Sequence, residues 1–404
     1  MLTVEEAREQ ILSRVQVLPA ERVALLGALD RVLAEPVVAT REIPPWPNSS
    51  MDGYAVRAAD TRGHGPRRLT VVGRVAAGAM PEQSVGPGQT IRIFTGAPLP
   101  AGADAVIPQE DVEVDGPEIV VSRAVDPHAF VRPRGEDVRP GDPVLFPGQV
   151  IGAAEVGLLA TLGWPQVRVH RRPRVAILST GNELADLGRE PGPGQIPNTN
   201  SYTLMAQARE AGGEPINLGV AADLPDDIEQ RLGAIEHADV LVSSAGVSVG
   251  DHDFVRAALE KLGAELHLWR VSMRPGKPIT FGTLRGRPLF GLPGNPVSAM
   301  VTFELFVRPA LRKMLGHAHL DRLRIVARAA QLIENPGQRR GYLRVTLTPE
   351  GDHYAARLTG EQGSAILRSM VLADGFAVVP GDAVIEKGDA VEVIVLKPLT
   401  ALQL

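Results

Sequence analysis

The spacing of apolar positions changes character three times along the chain. Val4, Ala7, Ile11 and Val15 recur at close to 3.6 residues, which predicts a helix over residues 3–15. A second helical stretch, RVALLGALDRVLA, follows Pro19, and the prolines of REIPPWPNSSMDGYAV then break it off. From about residue 66 to 123 the apolar runs shorten to LTVVGRV, QTIRIF, ADAVIP and EIVVS, separated by Gly and Pro. Such runs predict a small β-rich insertion. GAAEVGLLATLG restores the helical period and would rejoin the N-terminal helices as one discontinuous domain. Beyond Arg174, five apolar runs (RVAILST, EPINLGVAAD, ADVLVSSAG, AELHLWRVS and PLFGLPG) end in small or polar residues. Helical stretches lie between them, the longest being NPVSAMVTFELFVRPALRKMLG. That alternation predicts a three-layer α/β domain with a mostly parallel sheet. After about residue 320 the strand period returns in RIVARAAQL, GYLRVTLTP, HYAARL, GFAVVPG and AVEVIVL, a small sheet or barrel. The expected organisation is therefore multidomain. It has a helical domain over 1–45 and 140–170, a β-rich insertion over 46–139, an α/β domain over 171–320 and a C-terminal β domain over 321–404.

Composition narrows the function classes. The chain has 404 residues and a formal charge of −5, which argues against a generally basic nucleic-acid binder. It has no cysteine, so disulfides, thiol nucleophiles and Cys-type metal sites are excluded, as suits a cytoplasmic protein. MLTVEEAREQ is acidic and amphipathic, unlike a signal peptide. No apolar run approaches the ~18 residues of a membrane span. Only five basic residues are lysine (Lys261, Lys277, Lys313, Lys387 and Lys397), so Arg in place of Lys carries little weight here.

In an open parallel sheet, ligands bind beyond the carboxyl ends of the strands. Here each such end carries an unusual loop: STGNEL, AADLPDD, SSAGVSVGDHD, SMRPGKP and GLPGNPVS. The segment from Leu266 to Phe303 has no Asp or Glu but holds Arg270, Arg274, Lys277, Arg285 and Arg287. A local positive block in an acidic chain points to an anionic ligand, and Pro275 and Pro278 would stiffen the loop that presents it. PGKP lacks the Ser/Thr of a Walker A loop, which excludes a P-loop NTPase. Gly246-Val247-Ser248-Val249-Gly250 matches a nucleophile elbow, but no His follows a strand of the α/β region to complete a triad. An anion cradle is the better reading, with Asp253 opening the next helix and Asp223 as a second acid on the same edge; oxygen ligands of this kind suit Mg²⁺. Asn295 and Pro296 read locally as a helix cap and first turn. Asp52-Gly53 reads as a plain turn.

NSSMDGYAV, IFTGAPLPAGADAVIPQED, RPRGEDV, LSTGNEL, SSAGVSVGDHDF, MRPGKPITFG, GLPGNPVSAM and GEQGSAILRSM occur in this order. Together they resemble the molybdopterin molybdenumtransferase family, MoeA and the gephyrin E domain, from about residue 4 to 395. Ala245 stands where many members have Gly, and Arg270 and Arg274 where Lys is frequent. The resemblance implies four domains, the last barrel-like, and an elongated homodimer. It implies insertion of molybdenum from molybdate into adenylated molybdopterin, with release of AMP and use of a divalent cation, Mg²⁺. Molybdopterin adenylyltransferase and apo-molybdoenzymes would be its protein partners. By motif, Asp253 and Asp223 would serve metal and nucleotide. Arg274, Lys277 and Ser298 would bind molybdate, helped by Arg344 and Ser364 from the β domain of the other subunit. Arg270 joins the basic set. Asp52, Thr95, Arg132, Asp137, Thr180, Gly181, Glu183, Ser243, Gly246, Gly250, Pro293, Gly294 and Pro296 fall on further site positions. A nonenzymatic scaffold of the gephyrin type and a molybdopterin adenylyltransferase are the rival readings.

Overall fold

The computed structural model describes residues 1–245 and 254–399. Ser248 and the expected site residues Gly246, Gly250 and Asp253 lie outside them. The chain divides into two compact units. One comprises Met1–Arg22, Gly148–Val150 and Arg168–Leu404, the other Val23–Pro147 and Ile151–Val167. Among the described residues no helix is long and apolar enough to cross a membrane.

The first unit begins with α1 (Val4–Ser13), whose sequence T-x-x-E closes a capping box between Thr3 and Glu6. Val4, Ala7 and Ile11 are buried, as their period requires. The α/β part runs β1 (Arg174–Thr180), α2 (Thr199–Glu210), β2 (Glu214–Ala221), α3 (Pro225–Gly233), β3 (Val240–Ser244), α4 (Phe254–Lys261), β4 (Glu265–Arg270), β5 (Pro278–Leu284) and β6 (Arg287–Leu292). The sheet order is β2-β1-β3-β6-β5-β4. β5 is antiparallel to both neighbours, and the other pairings are parallel. Alternate residues serve opposite faces. Val175, Ile177, Val240 and Val242 pack with α1, α2 and the last helix, while Ala176, Leu178 and Leu241 pack with α3 and α4.

The period of the sequence does not reveal β5. It forms a hairpin with β6 through Arg285 and Gly286, both at positive φ (52° and 76°), as a tight two-residue turn demands. Because β5 reverses direction, β4 still ends on the same edge as β1, β2, β3 and β6. The loops after β1, β2, β4 and β6 and the carboxyl end of β3 therefore share that edge. The last helix is continuous from α5 (Pro296–Thr302) through a π turn (Phe303–Val307) into α6 (Arg308–Met314). Pro309 has no N–H for Leu305 and would crowd its carbonyl in a regular turn; the π turn removes that conflict.

The C-terminal part of this unit is a closed five-stranded barrel. Its strands are β7 (Arg324–Ala329), β8 (Arg340–Glu350), β9 (His353–Leu358), β10 (Gly375–Val379) and β11 (Ala390–Val395), in the order β8-β9-β7-β11-β10 and back to β8. Ala327, Val345, Ala377 and Val393 fill it.

The second unit holds a six-stranded sheet in the order Ala105–Pro108, Gly53–Val56, Gln89–Ile93, Arg67–Val75, Glu118–Val121 and Val112–Asp115. The helix Ala153–Thr161 forms as expected. RVALLGALDRVLA does not form a helix: Ala20–Ala24 is a strand and Leu25–Ala28 a single 3₁₀ turn. Its apolar spacing is misleading, since Leu26 and Leu29 are solvent-exposed. A helical N-terminal domain is thus only partly realised.

Candidate active site on the sheet edge

The acid-free block folds as a loop from β4 into β5, closed by the Val271 N–H donating to the Lys277 carbonyl at 3.0 Å. Arg270, Arg274 and Lys277 are all exposed. Arg274 Nη1 makes a long bond of 3.4 Å to the Pro336 carbonyl. Beside it lies Arg344 on β8, fully buried. Its Nε donates to Ser369 Oγ at 3.0 Å and its Nη2 to the Gly363 carbonyl at 3.1 Å. Nη1 is buried with no hydrogen-bond partner among the described residues. Burial, and then the charge of Arg274, push the Arg344 guanidinium down to about 10. Two cations are thus held close, and one keeps an unspent donor, an arrangement that suits an anionic ligand.

Ser298 is buried at the start of the last helix. Asn295 occupies the N-cap position and Pro296 the first helical one, as expected, but Asn295 makes no capping bond. Its Nδ2 donates instead to Ser364 Oγ at 3.1 Å, and the free Val297 N–H donates to the Ser364 carbonyl at 3.1 Å. The loop carrying Ser364 does the capping, and it meets the α/β edge within one chain. Within the chain, Ser364 thus meets the helix start that carries Ser298, and the neighbouring Gly363 accepts from Arg344.

At the other end of the edge, Asn182 and Asp223 clasp the loops after β1 and β2. The Asp223 N–H donates to Asn182 Oδ1 (3.2 Å) and the Asn182 N–H to Asp223 Oδ2 (3.3 Å). Thr180 is buried, while Glu183 is exposed beside the buried Gly181. A polar cleft of about 600 Å³ opens here, lined by Asn182, Arg189, Gln195, Ala222 and Arg231 among others. Between the two ends, Ser243 Oγ donates to the Ala245 carbonyl at 2.9 Å. Asn200 Nδ2 donates to Ser244 Oγ and to the Gly294 carbonyl, both at 2.7 Å, and so ties the end of β3 to the loop containing Pro293. Asn182 and Asn200 escape sequence reasoning, because a neutral amide leaves no charge pattern. Their only signal is position, just past the ends of predicted elements. No group of three or more His, Asp or Glu poised for a metal occurs among the described residues.

In the second unit, Asp52 Oδ1 accepts from both the N–H and the hydroxyl of Thr95, each at 2.8 Å, and these bonds lower its pKa. Asp52-Gly53 is not a plain turn. Gly53 begins a strand whose backbone presses on Ile107, and a Cβ there would lie 2.0 Å from the Ile107 carbonyl oxygen. Arg132 pairs across to Asn48, and the Asp137 N–H donates to the Ile43 carbonyl.

Three family models cover the chain. The MoeA N-terminal region (domains I and II) matches residues 2–163, a probable molybdopterin binding domain residues 176–313, and the MoeA C-terminal region (domain IV) residues 326–396. A molybdopterin molybdenumtransferase of Nostoc sp. is 39% identical over 93% of this chain and 88% of its own. Molybdopterin molybdenumtransferase 1 of Mycobacterium tuberculosis is 38% identical over 98% of this chain and 99% of its own. The crystal structure of the molybdopterin biosynthesis MoeA protein from Pyrococcus horikoshii superposes with a TM-score of 0.84 at 35% identity, over 99% of this chain and 100% of that one. With its sheet edge, its barrel and its ordered motifs matched from end to end, the chain belongs to the MoeA family of molybdopterin molybdenumtransferases.

Proposed function

We propose that the protein inserts molybdenum from molybdate into adenylated molybdopterin and releases AMP. The observation that carries this reading is the buried Arg344 with its unspent Nη1 beside Arg274, an oxyanion site on the ligand edge of a molybdopterin-binding domain. Arg344, Arg274 and Lys277 would bind the molybdate oxygens, with Ser298 and Ser364 shaping the site. The cleft over β1 and β2 would take the nucleotide end. About four strand spacings of ~4.8 Å separate the two ends, room for an extended, dinucleotide-sized ligand whose phosphoanhydride lies between them.

Asp223, with Asp253 of the loop after β3, would hold the Mg²⁺. Mg²⁺ takes oxygen ligands, commonly one or two protein carboxylates plus substrate phosphates. Asp223 fits that role, with Oδ2 already fixed by the Asn182 N–H. A bound Mg²⁺ would neutralise charge on the pyrophosphate. Asp52, Thr95, Arg132 and Asp137 of the second unit are proposed as further functional residues. A cytoplasmic homodimer is part of the same proposal, testable by light scattering.

The decisive assay supplies adenylated molybdopterin and measures AMP release with and without molybdate and Mg²⁺. Release that depends on both is expected. ATP consumption with free molybdopterin would identify an adenylyltransferase, and no release under any condition would leave a scaffold.

A further inference from the structure

A second cluster of arginines forms where α1, the last helix and the segment leading into the barrel meet. Arg322 grips Glu304 with two bonds, Nε to Oε2 at 3.0 Å and Nη2 to Oε1 at 3.1 Å. Arg8 Nη1 pairs with Asp321 Oδ1 at 2.5 Å. Arg324 has its own partner in Glu392 at 2.6 Å. Arg308 is buried, and only carbonyl oxygens or shared acids face it: its Nη1 donates to the Leu320 carbonyl at 3.0 Å, and its Nε stands 3.8 Å from Glu304, which Arg322 already holds. Arg312 donates to the His319 carbonyl and to His317 Nδ1. Four guanidinium groups (Arg8, Arg308, Arg312 and Arg322) thus meet two carboxylates, Glu304 and Asp321. Burial and the neighbouring charge of Arg322 push Arg308 down to about 10, and His317, held neutral, supplies no counter-charge.

Two further observations point to a ligand. Arg8 Nε is buried with no partner among the described residues. A cavity of about 20 Å³ opens among Arg8, Glu304, Arg308, Asp321 and Arg322, floored by Leu305 and Phe376. That is room for one water-sized body. A tetrahedral oxyanion does not fit, so this is no second copy of the site at Arg344. Water would satisfy the orphan donor but leave the excess positive charge uncompensated, and Arg308 carries its share of that charge while buried, where it is costly.

We infer that this cavity binds a single monatomic anion of the halide class, held by Arg8 and Arg308. The ion would fasten α1, the last helix and the barrel's lead-in segment together, and its binding would raise stability by mass action.

The test is thermal unfolding of the intact protein in chloride, bromide or gluconate at fixed ionic strength, together with an anomalous-scattering map from bromide-grown crystals. A saturable rise in the midpoint of about 2 °C or more with either halide, absent in gluconate, is expected, as is a bromide peak in the cavity. In Arg8→Met the thioether fills space without donating, and the halide response should vanish; in Arg8→Lys it should weaken. Equal midpoints in chloride and gluconate, or a map with water alone in the cavity, would overturn the inference. If a variant fails to fold, the halide titration and map of the unaltered protein decide the matter.

Discussion

Replacing Arg344 with methionine separates the cost of a buried charge from its use. The side chain is fully buried and gives two bonds, to Ser369 and Gly363. Bonds from a charged donor contribute roughly 1.5–3 kcal/mol each, so their loss would cost about 3–6 kcal/mol. Against this, a guanidinium pushed well below its ordinary range, down to about 10, is disfavoured in the folded state by roughly 3 kcal/mol at neutral pH. That penalty is constant below about pH 10 and is released only as pH rises above it, so no trend from this group is expected between pH 6 and 9. Arg344→Met should therefore lose only about 0–3 kcal/mol and remain folded. The anion loses a charged donor worth roughly 1.5–3 kcal/mol, a factor of about 10–150 in molybdate affinity. Urea unfolding gives the first quantity, and the molybdate concentration for half-maximal AMP release gives the second. A folded variant whose half-saturation stays within about twofold of the parent would refute the assignment of Arg344 to the oxyanion.

Ala245 sits at φ 66°, a region that costs an L-residue roughly 1–2 kcal/mol. After the chain-entropy cost of glycine, Ala245→Gly should raise stability by about 0.5–1 kcal/mol in urea, and a lower midpoint would contradict the geometry. Asn200→Asp places an acceptor against the Gly294 carbonyl and should raise the KM for adenylated molybdopterin several-fold; a change in melting temperature with KM unmoved would leave Asn200 a purely structural tie. Burial first, then Arg312 and Arg308, hold His317 down to about 4 from 6.5. Its neutral form is favoured in the fold, so the associated stability is complete above pH 6.5 and lost as pH falls towards 4, by roughly 2–3 kcal/mol after allowance for partial exposure. His317→Gln should flatten acid unfolding curves over that window, and unchanged curves would count against it. Asp253→Asn should slow AMP release about a hundredfold while binding persists; a loss of only a few-fold would shift the catalytic acid to Asp223.

How far the sequence discloses such a molecule depends on whether a residue's partner is near it in the chain. RVAILST is apolar on both faces, and β1 is buried on both faces in mid-sheet, so its period alone finds it. The barrel strands and α1 are equally plain. RVALLGALDRVLA misleads because its period is only a propensity. Gly27 and the preceding Pro19 weaken a helix there, and the chain forms a strand and a short turn with Leu26 in solvent. β5 is hidden for the opposite reason. Its hairpin turn is Arg-Gly rather than Asn-Gly, and its first residues read as part of a basic ligand loop.

The site shows the same division. Arg274 and Lys277 stand out from an acid-free stretch, a local pattern. Arg344 and Ser364, lying 70 and 90 positions beyond Arg274, carry no local mark, and family resemblance alone reaches them. Asn295 shows why. Its position predicts a cap, and the position is right, yet its side chain turns to Ser364 because that loop also satisfies Val297 N–H. A helix start must have its free donors met, but the sequence around it cannot say which distant carbonyl will meet them. Once the barrel loop has supplied that carbonyl, Gly363 is in reach of Arg344 Nη2, and Arg344 is brought beside Arg274. The remaining donor, Nη1, is left buried with no partner among the described residues. The cap and the proposed anion site are then one arrangement, and a Ser364 loop drawn away from Val297 would open both.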